Sequence, residues 1–297
     1  MNFQLYKTFW GFDGSLADAF AQVREAGFDG IEAPIPSEPA QRDDFARQVA
    51  DSGLGLIAEI CTAGSYVPER SATIADHLAD LEAKIIHGKT LNPRFFNVMA
   101  GCDAWSYSEQ VDFFARAVDL ADRHGVTCSF ETHRGRSFFN PWVTRDVVRA
   151  VPSLKLTCDF SHWVVVAERL MDSEWDIIAE LAPHGHHIHG RIGYPQGPQV
   201  PHPADPAYAD CLRSHQRCWE AIWDAQRAQG YVISTLTPEC GPDGYTHQIP
   251  FSGVQVADIW QMNRWMGDTE KAHFAHYHSA LKASVSPSPL LSPALSS

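Results

Sequence analysis

The chain has 297 residues, 44% hydrophobic and 20% charged, enough to bury a full core and stay in solution. Its formal net charge of −13, from 36 acidic against 23 basic residues with no Lys/Arg-rich run, argues against a nucleic-acid backbone as the main ligand. The seven cysteines form no CxxC pair, no basic-then-apolar leader opens the chain, and no apolar run approaches the ~20 residues of a membrane span, so the expected setting is reducing and cytoplasmic, with no membrane partner.

A strand–turn–helix unit then repeats along the chain. The first strand is expected at 3–9 and its helix at 15–27, with Ser15-Leu16-Ala17-Asp18 as a capping box. Glu25-Ala26-Gly27 precedes a second strand at 28–33, followed by a helix over 38–52. Asp51-Ser52-Gly53 precedes the third strand, 54–61, then come a helix over 71–90 and a fourth strand at 94–100. A helix over 108–124 ends in Arg123-His124-Gly125, ahead of a fifth strand at 126–131. Helices over 142–151 and 173–182 lead to strands at 154–159 and 185–191. A helix over 207–229 leads through Ala228-Gln229-Gly230 to the eighth strand, 231–239, and a last helix fits 254–280. Glycine just past a helix end turns the chain back into a sheet. Eight strands alternating with eight helices predict one α/β domain, a single (β/α)8 TIM barrel over 1–282. A doubly wound open sheet fits less well, because no Gly-rich phosphate fingerprint follows the first strand. The Ser/Pro-rich segment 283–297 lacks periodicity and reads as a disordered tail. The loop over 192–206 holds five prolines and reads as a stiff wall of the site, with Gln199 and His202 placed to close the pocket.

Barrel active sites lie where the strands end. The fifth strand ends on Glu131, the sixth on Asp159 and the eighth on Glu239, while the seventh reads His186-His187-Ile188-His189-Gly190-Arg191. Three carboxylates in a partly dry pocket repel one another, and a divalent cation ligated by all of them removes the conflict. His187 and His189 share one face of their strand. His189, nearer the strand end, is the preferred nitrogen ligand and His187 its rival. Three oxygens and one nitrogen suit one divalent ion, Mn2+ first, with Mg2+, Co2+ and Zn2+ as alternatives. Glu32 closes the second strand and is a candidate for bonding substrate hydroxyls or for a structural hydrogen bond. Trp10 closes the first strand and is a candidate for stacking on a sugar ring. His133, Arg134 and Arg136 follow Glu131 as candidates for a substrate carboxylate or phosphate, or for ion pairs with nearby acids.

Gly27-Phe28-Asp29-Gly30-Ile31-Glu32, Glu131, Asp159-Phe160-Ser161-His162, His187-Ile188-His189-Gly190-Arg191 and Glu239, in that order, resemble the xylose-isomerase-like barrels. That group includes sugar (phosphate) isomerases and epimerases and the AP endonuclease type 2 barrels. The resemblance implies a metal held by Glu131, Asp159, His189 and Glu239, with the two glutamates doubling as acid and base. It implies a substrate contact from His162, and a homodimer or homotetramer; Arg191, which follows His189 by two residues where the epimerases place an arginine several residues on, is a further candidate for holding substrate oxygens. The third strand ends with Glu59 and Cys61 and the fourth with Asn97 and Met99, where three-zinc endonucleases carry extra histidines, so one metal is expected. The expected reaction is isomerisation or epimerisation of a sugar or keto-sugar by proton abstraction next to a carbonyl, through a metal-stabilised enediolate. The alternative is a lyase or dehydratase that eliminates from a keto-sugar, keto-glycoside or dehydroshikimate-like acid. Phosphodiester hydrolysis is the remaining class.

Overall fold

The computed structural model describes residues 1–242 and 244–285. Eight strands form: β1 (Asn2–Thr8), β2 (Gly30–Pro34), β3 (Gly55–Cys61), β4 (Phe96–Met99), β5 (Cys128–Glu131), β6 (Leu156–Cys158), β7 (Gly185–His189) and β8 (Ile233–Thr237). Each pairs in parallel with the next, and β1 pairs with β8, so the sheet closes on itself. The helices are α1 (Leu16–Glu25), α2 (Pro39–Ser52), α3 (Ile74–Lys89), α4 (Tyr107–His124), α5 (Pro141–Ala150), α6 (Phe160–Ala167), α7 (Trp175–Leu181), α8 (Ala209–Ala228) and α9 (Ile259–Val285). The expected single (β/α)8 barrel is therefore the observed architecture. The segment expected as a disordered tail, 283–297, begins within the last turn of α9 and from residue 286 lies outside the described residues. Among the described residues, no helix is long and apolar enough to cross a membrane. All seven cysteines are free thiols.

Local chemistry accounts for the boundaries. Ser15 and Asp18 cap α1 reciprocally, as their spacing predicts. Gly53 and Gly125 end α2 and α4 at φ 70° and 64°, a left-handed turn that costs glycine no side-chain clash. One helix was not legible in the sequence: α6 starts directly after Asp159. The run Phe160-Ser161-His162-Trp163-Val164-Val165-Val166-Ala167 is apolar and rich in β-branched residues, so it has no helical stripe to detect. Asp159 starts it by accepting hydrogen bonds from the Ser161 backbone N–H (2.9 Å) and hydroxyl (2.6 Å).

Outside the strands, helix faces bury aromatic side chains. Phe114 of α4 stacks on Phe138 (centroids 4.2 Å apart) and meets the edge of Phe130 on β5. Burying each such ring contributes about 1.5–3 kcal/mol. Inside the barrel the side chains lie in layers. Tyr6, Ile57 and Phe95 form a small apolar floor, and the ring of His187 lies against Phe95, 5.3 Å between centroids. Above the floor come polar residues, and above those the acidic mouth.

Helix α9 contributes a buried acid far from that mouth. Glu270 is fully buried, accepts a hydrogen bond from Gln216 of α8 (2.9 Å), and leaves its second oxygen without a hydrogen-bond partner among the described residues. Burial pushes its carboxyl up to about 8, with Gln216 opposing and Glu220 adding to the rise. The folded chain thus keeps a proton that the unfolded chain releases above about pH 4.5, and stability falls as pH rises from there to about 8. Glu270→Gln keeps the shape and removes the charge. Urea unfolding should find the variant more stable than the parent by about 3–5 kcal/mol at pH 9, with that advantage gone at pH 4.5. An advantage of equal size at both pH values would contradict this.

Candidate active site

A cavity of about 370 Å3 opens at the C-terminal ends of the strands. Its apolar lining comes from Phe9, Trp10, Pro34, Cys61, Tyr66 and Met99. Glu59, Glu131, His133, Arg191, Glu239 and Tyr245 give it polar groups.

At its base, Glu131, Asp159, His189 and Glu239 each bring one potential ligand atom to within 4.8 Å of the others. The Nδ1 of His189 stands 3.0 Å from Glu239 Oε2 and 3.6 Å from Glu131 Oε1. That nitrogen is buried and has no hydrogen-bond partner among the described residues. A buried imidazole nitrogen gathered with three carboxylates suits a divalent cation, so the donor set fits the ion.

His189 owes its orientation to Glu32. The Nε2 of His189 lies 3.0 Å from Glu32 Oε1. A proton on Nε2, given to that carboxylate, leaves Nδ1 as the lone-pair atom that faces the cluster. The other Glu32 oxygen meets His187 Nε2 (3.2 Å) and accepts from the Thr237 hydroxyl. His187 also lies 2.7 Å from the Thr235 hydroxyl. Glu32 therefore supports histidines from below, is 1% exposed and is not on the cavity wall, which matches the structural hydrogen bond of its two expected roles and not the substrate contact. His187 sits in that lower layer, grouped with Glu32 and His189 and apart from the four-donor cluster.

Arg191 binds protein more than solvent. Its guanidinium contacts Asp159, reaches Ser161 Oγ at 3.0 Å and His162 Nε2 at 2.8 Å, and approaches Glu239 Oε2 at 3.5 Å. It thus holds two of the potential ligands in place while one edge lines the cavity. His162 is fully buried behind Arg191 and His133, its ring 4.1 Å from that of His133, and is not on the cavity wall. Because arginine only donates, His162 Nε2 is the acceptor in that contact and its proton sits on Nδ1. This disfavours His162 as a metal ligand, although it groups spatially with Glu131 and His133. His133 and Trp10 do line the cavity, and the Trp10 ring meets Tyr245 edge to face at 4.9 Å.

Burial and charge set the proton positions in the metal-free cluster. Burial opposes a charge on His189, but Glu239, Glu32 and Glu131 together hold its imidazole well above the usual histidine range. Burial would also raise Glu131, yet His189 pulls it below the usual carboxylate range. Burial leaves Asp159 and Glu239 raised, Asp159 in spite of Arg191 and Glu239 in spite of His189. Burial lowers His133 to about 4, so at neutral pH it is an uncharged donor and acceptor. Toward the substrate carboxylate or phosphate that the sequence suggested, it offers a hydrogen bond and not a full positive charge.

Four residues at the site escaped the sequence reading as functional. Asn97 on β4 donates to Glu131 Oε2 (3.1 Å), and Glu59 on β3 lines the cavity. Both are polar residues inside apolar strand runs, a signal that marks inward positions. Ser161 bridges Arg191 and Asp159. Tyr245 lies between the guanidinium groups of Arg134 (4.9 Å) and Arg191 (4.8 Å), in a loop with no periodic pattern to betray it. Arg136 proves structural: it is fully buried and donates to the carbonyls of Thr62 (2.7 Å), Gly101 (3.2 Å), Tyr66 (3.2 Å) and Ser65. It pins the loop that carries Tyr66 on the cavity wall. Gln199 clamps Gly241 and Thr246, and His202 accepts from the Ala204 backbone N–H. Neither residue lines the cavity, contrary to expectation.

The fold has many solved counterparts. A structure described as L-ribulose 3-epimerase aligns with a TM-score of 0.65 at 16% identity, covering 99% of this chain and 100% of that one. The IolI protein with a zinc atom aligns at 0.64 and 12% identity, covering 91% and 99%. A probable 3-DHS dehydratase from Bacillus anthracis aligns at 0.55 and 15% identity, covering 91% and 98%. At such identities the likeness shows the fold alone. A comparison with curated protein sequences finds no match. The family model described as xylose isomerase-like TIM barrel matches residues 20–196, more than half of the sequence, and the chain belongs to that family.

Proposed function

We propose that this chain is a divalent-metal-dependent isomerase or epimerase of a small keto-sugar, working by proton transfer next to a carbonyl. The observation that carries the reading is that Glu131 and Glu239 meet two conditions at once. Both stand by the buried His189 Nδ1, and both line the cavity. Asp159 meets only the first, because Arg191 and Ser161 hold it below the wall.

Glu131, Asp159, His189 and Glu239 would hold the ion. Bound there, it would polarise a carbonyl oxygen and offset the negative charge that gathers on that oxygen as the neighbouring C–H proton leaves. Glu131 arrives from the end of β5 and Glu239 from just past β8, so the two flank a substrate from different sides. A carboxylate with one oxygen engaged keeps the other for a proton. One glutamate takes the proton and the other returns one, to the opposite face or to the neighbouring carbon. Arg191 keeps Asp159 and Glu239 in position, and Glu32 keeps His189 in its ligating tautomer. Neutral His133 bonds a substrate oxygen, and Trp10 supplies an apolar surface for the carbon skeleton.

The likeness to the L-ribulose 3-epimerase and to the zinc-bearing IolI protein supports this reading. A dehydratase that uses the same proton abstraction is the second reading. Glu131 and Glu239 would serve it as they serve the first reading, one taking the proton next to the carbonyl and the other, when protonated, giving one to a departing hydroxyl, and the fold is shared with a probable dehydratase. The test is incubation of metal-loaded protein with ketoses and keto-glycosides in deuterated water. We expect deuterium in recovered substrate and product, with no alkene. Alkene formation would replace the first reading with the second, and absence of exchange across the panel would overturn both.

A further inference from the structure

One ionisable group on the cavity wall is used neither by the potential ligands nor by their supports. Glu59 lies near the end of β3, beside Asn97 of β4 in the sheet register. Asn97 is the residue that holds Glu131, so Glu59 is one strand away from the reacting end of the cavity. It is partly buried, with Cys61, Met99 and Pro34 among the fellow lining residues. It makes no hydrogen bond or ion pair among the described residues, and it belongs to none of the clusters that could hold a metal. A partly buried carboxyl near the acids Glu32, Glu239 and Glu131 and without a hydrogen-bond partner is costly to keep, and the cost is recovered when a ligand supplies the partner.

The chemistry of that ligand follows from charge. At the cavity base the three donor carboxylates are balanced by a dication together with Arg191. Among the described residues no other arginine or lysine lines the cavity, since Arg134 lies over the Tyr245 ring off the wall, and Glu59 adds an acid to the remaining wall. A hydroxyl suits Glu59 in either protonation state, since the ionised carboxyl accepts and the protonated one both donates and accepts.

We infer that Glu59 is a specificity-determining residue that bonds a substrate hydroxyl beyond the reacting carbons, and that the substrate is a neutral polyhydroxylated ketone, with neither phosphate nor carboxylate. This rests on the proposed function, because it assumes that a ketone is anchored at the Glu131–Glu239 end.

The experiment measures deuterium exchange by the metal-loaded protein and its Glu59→Ala and Glu59→Gln variants. The substrates are neutral ketopentoses and ketohexoses, their phosphates, and dihydroxyacetone, which has no hydroxyl beyond the reacting region. Glu59→Ala should raise KM for the longer neutral ketoses about 10- to 100-fold, with a smaller change in kcat and none toward dihydroxyacetone. Metal content and melting temperature should match the parent. Glu59→Gln keeps the shape, so it carries the test if the alanine variant does not fold, and should show a smaller rise in KM on the same substrates. An unchanged KM, equal losses on long and short ketones, or a parent preference for the phosphates would overturn the inference while leaving the proposed function standing. No exchange by the parent on any neutral ketone would overturn both together.

Discussion

Replacing either Glu131 or Glu239 with glutamine should lower proton exchange by about 10²–10⁴-fold at saturating metal. Glutamine matches the shape of glutamate and keeps one oxygen for the ion, but its amide cannot take up a proton at neutral pH. The loss should therefore appear in kcat and should persist at any metal concentration. Asp159→Asn is the contrasting case. Asp159 is buried beneath the wall with Arg191 and Ser161, so its variant should take up metal more weakly and recover activity as metal is added. The glutamine variants should also differ from each other without metal. His189 holds Glu131 ionised, so Glu131→Gln removes an attraction and should lower the melting temperature of the stripped protein. Glu239 is the first of the acids that hold the His189 proton, but burial penalises its own charge, so Glu239→Gln should lower the melting temperature less. Full exchange activity in either glutamine variant would end the acid–base assignment.

The parts that the sequence revealed are the parts with a period. Strand-length apolar runs, glycines after helices and acids at strand ends repeat at regular intervals, and they placed all eight strands and the four-donor cluster. What stayed hidden depends on contacts across the barrel. Glu32 and His189 are 157 residues apart in the chain, yet their 3.0 Å contact sets which imidazole nitrogen faces the cluster. No local pattern could distinguish that role from a substrate contact. Arg136 shows the same limit, because an arginine after a catalytic strand looks ready for an anionic ligand. Its actual acceptors are carbonyls of two other loops, which only the folded chain brings near. Helix α6 was missed for a different reason. Its sequence is buried nearly all round, and a helix without a polar face has no stripe to read.

Stripping the metal should abolish activity, and the affinity of the stripped site for Mn2+ should rise about tenfold for each pH unit through neutrality. The imidazole of His189 lies among Glu32, Glu131 and Glu239, which hold its proton well beyond the ordinary histidine range. In the metal-free fold that proton partly balances the acids. The stabilisation it brings is complete below about pH 6.5, the unperturbed value, and is lost as pH rises through the raised one. A cation on Nδ1 needs the neutral imidazole, so binding must expel at least one proton, and more if Asp159 or Glu239 is still protonated. Proton and metal are thus alternative ways to neutralise one cluster, and they stabilise opposite ends of the pH range. Stripped protein should melt highest in mild acid and lose stability toward pH 9, whereas metal-loaded protein should keep its stability there. Calorimetric titration with Mn2+ in buffers of different ionisation enthalpy counts the released protons directly. Affinity that does not change with pH, with no proton released, would mean that the ion does not bind His189 Nδ1, and the four-donor assignment would fall with it.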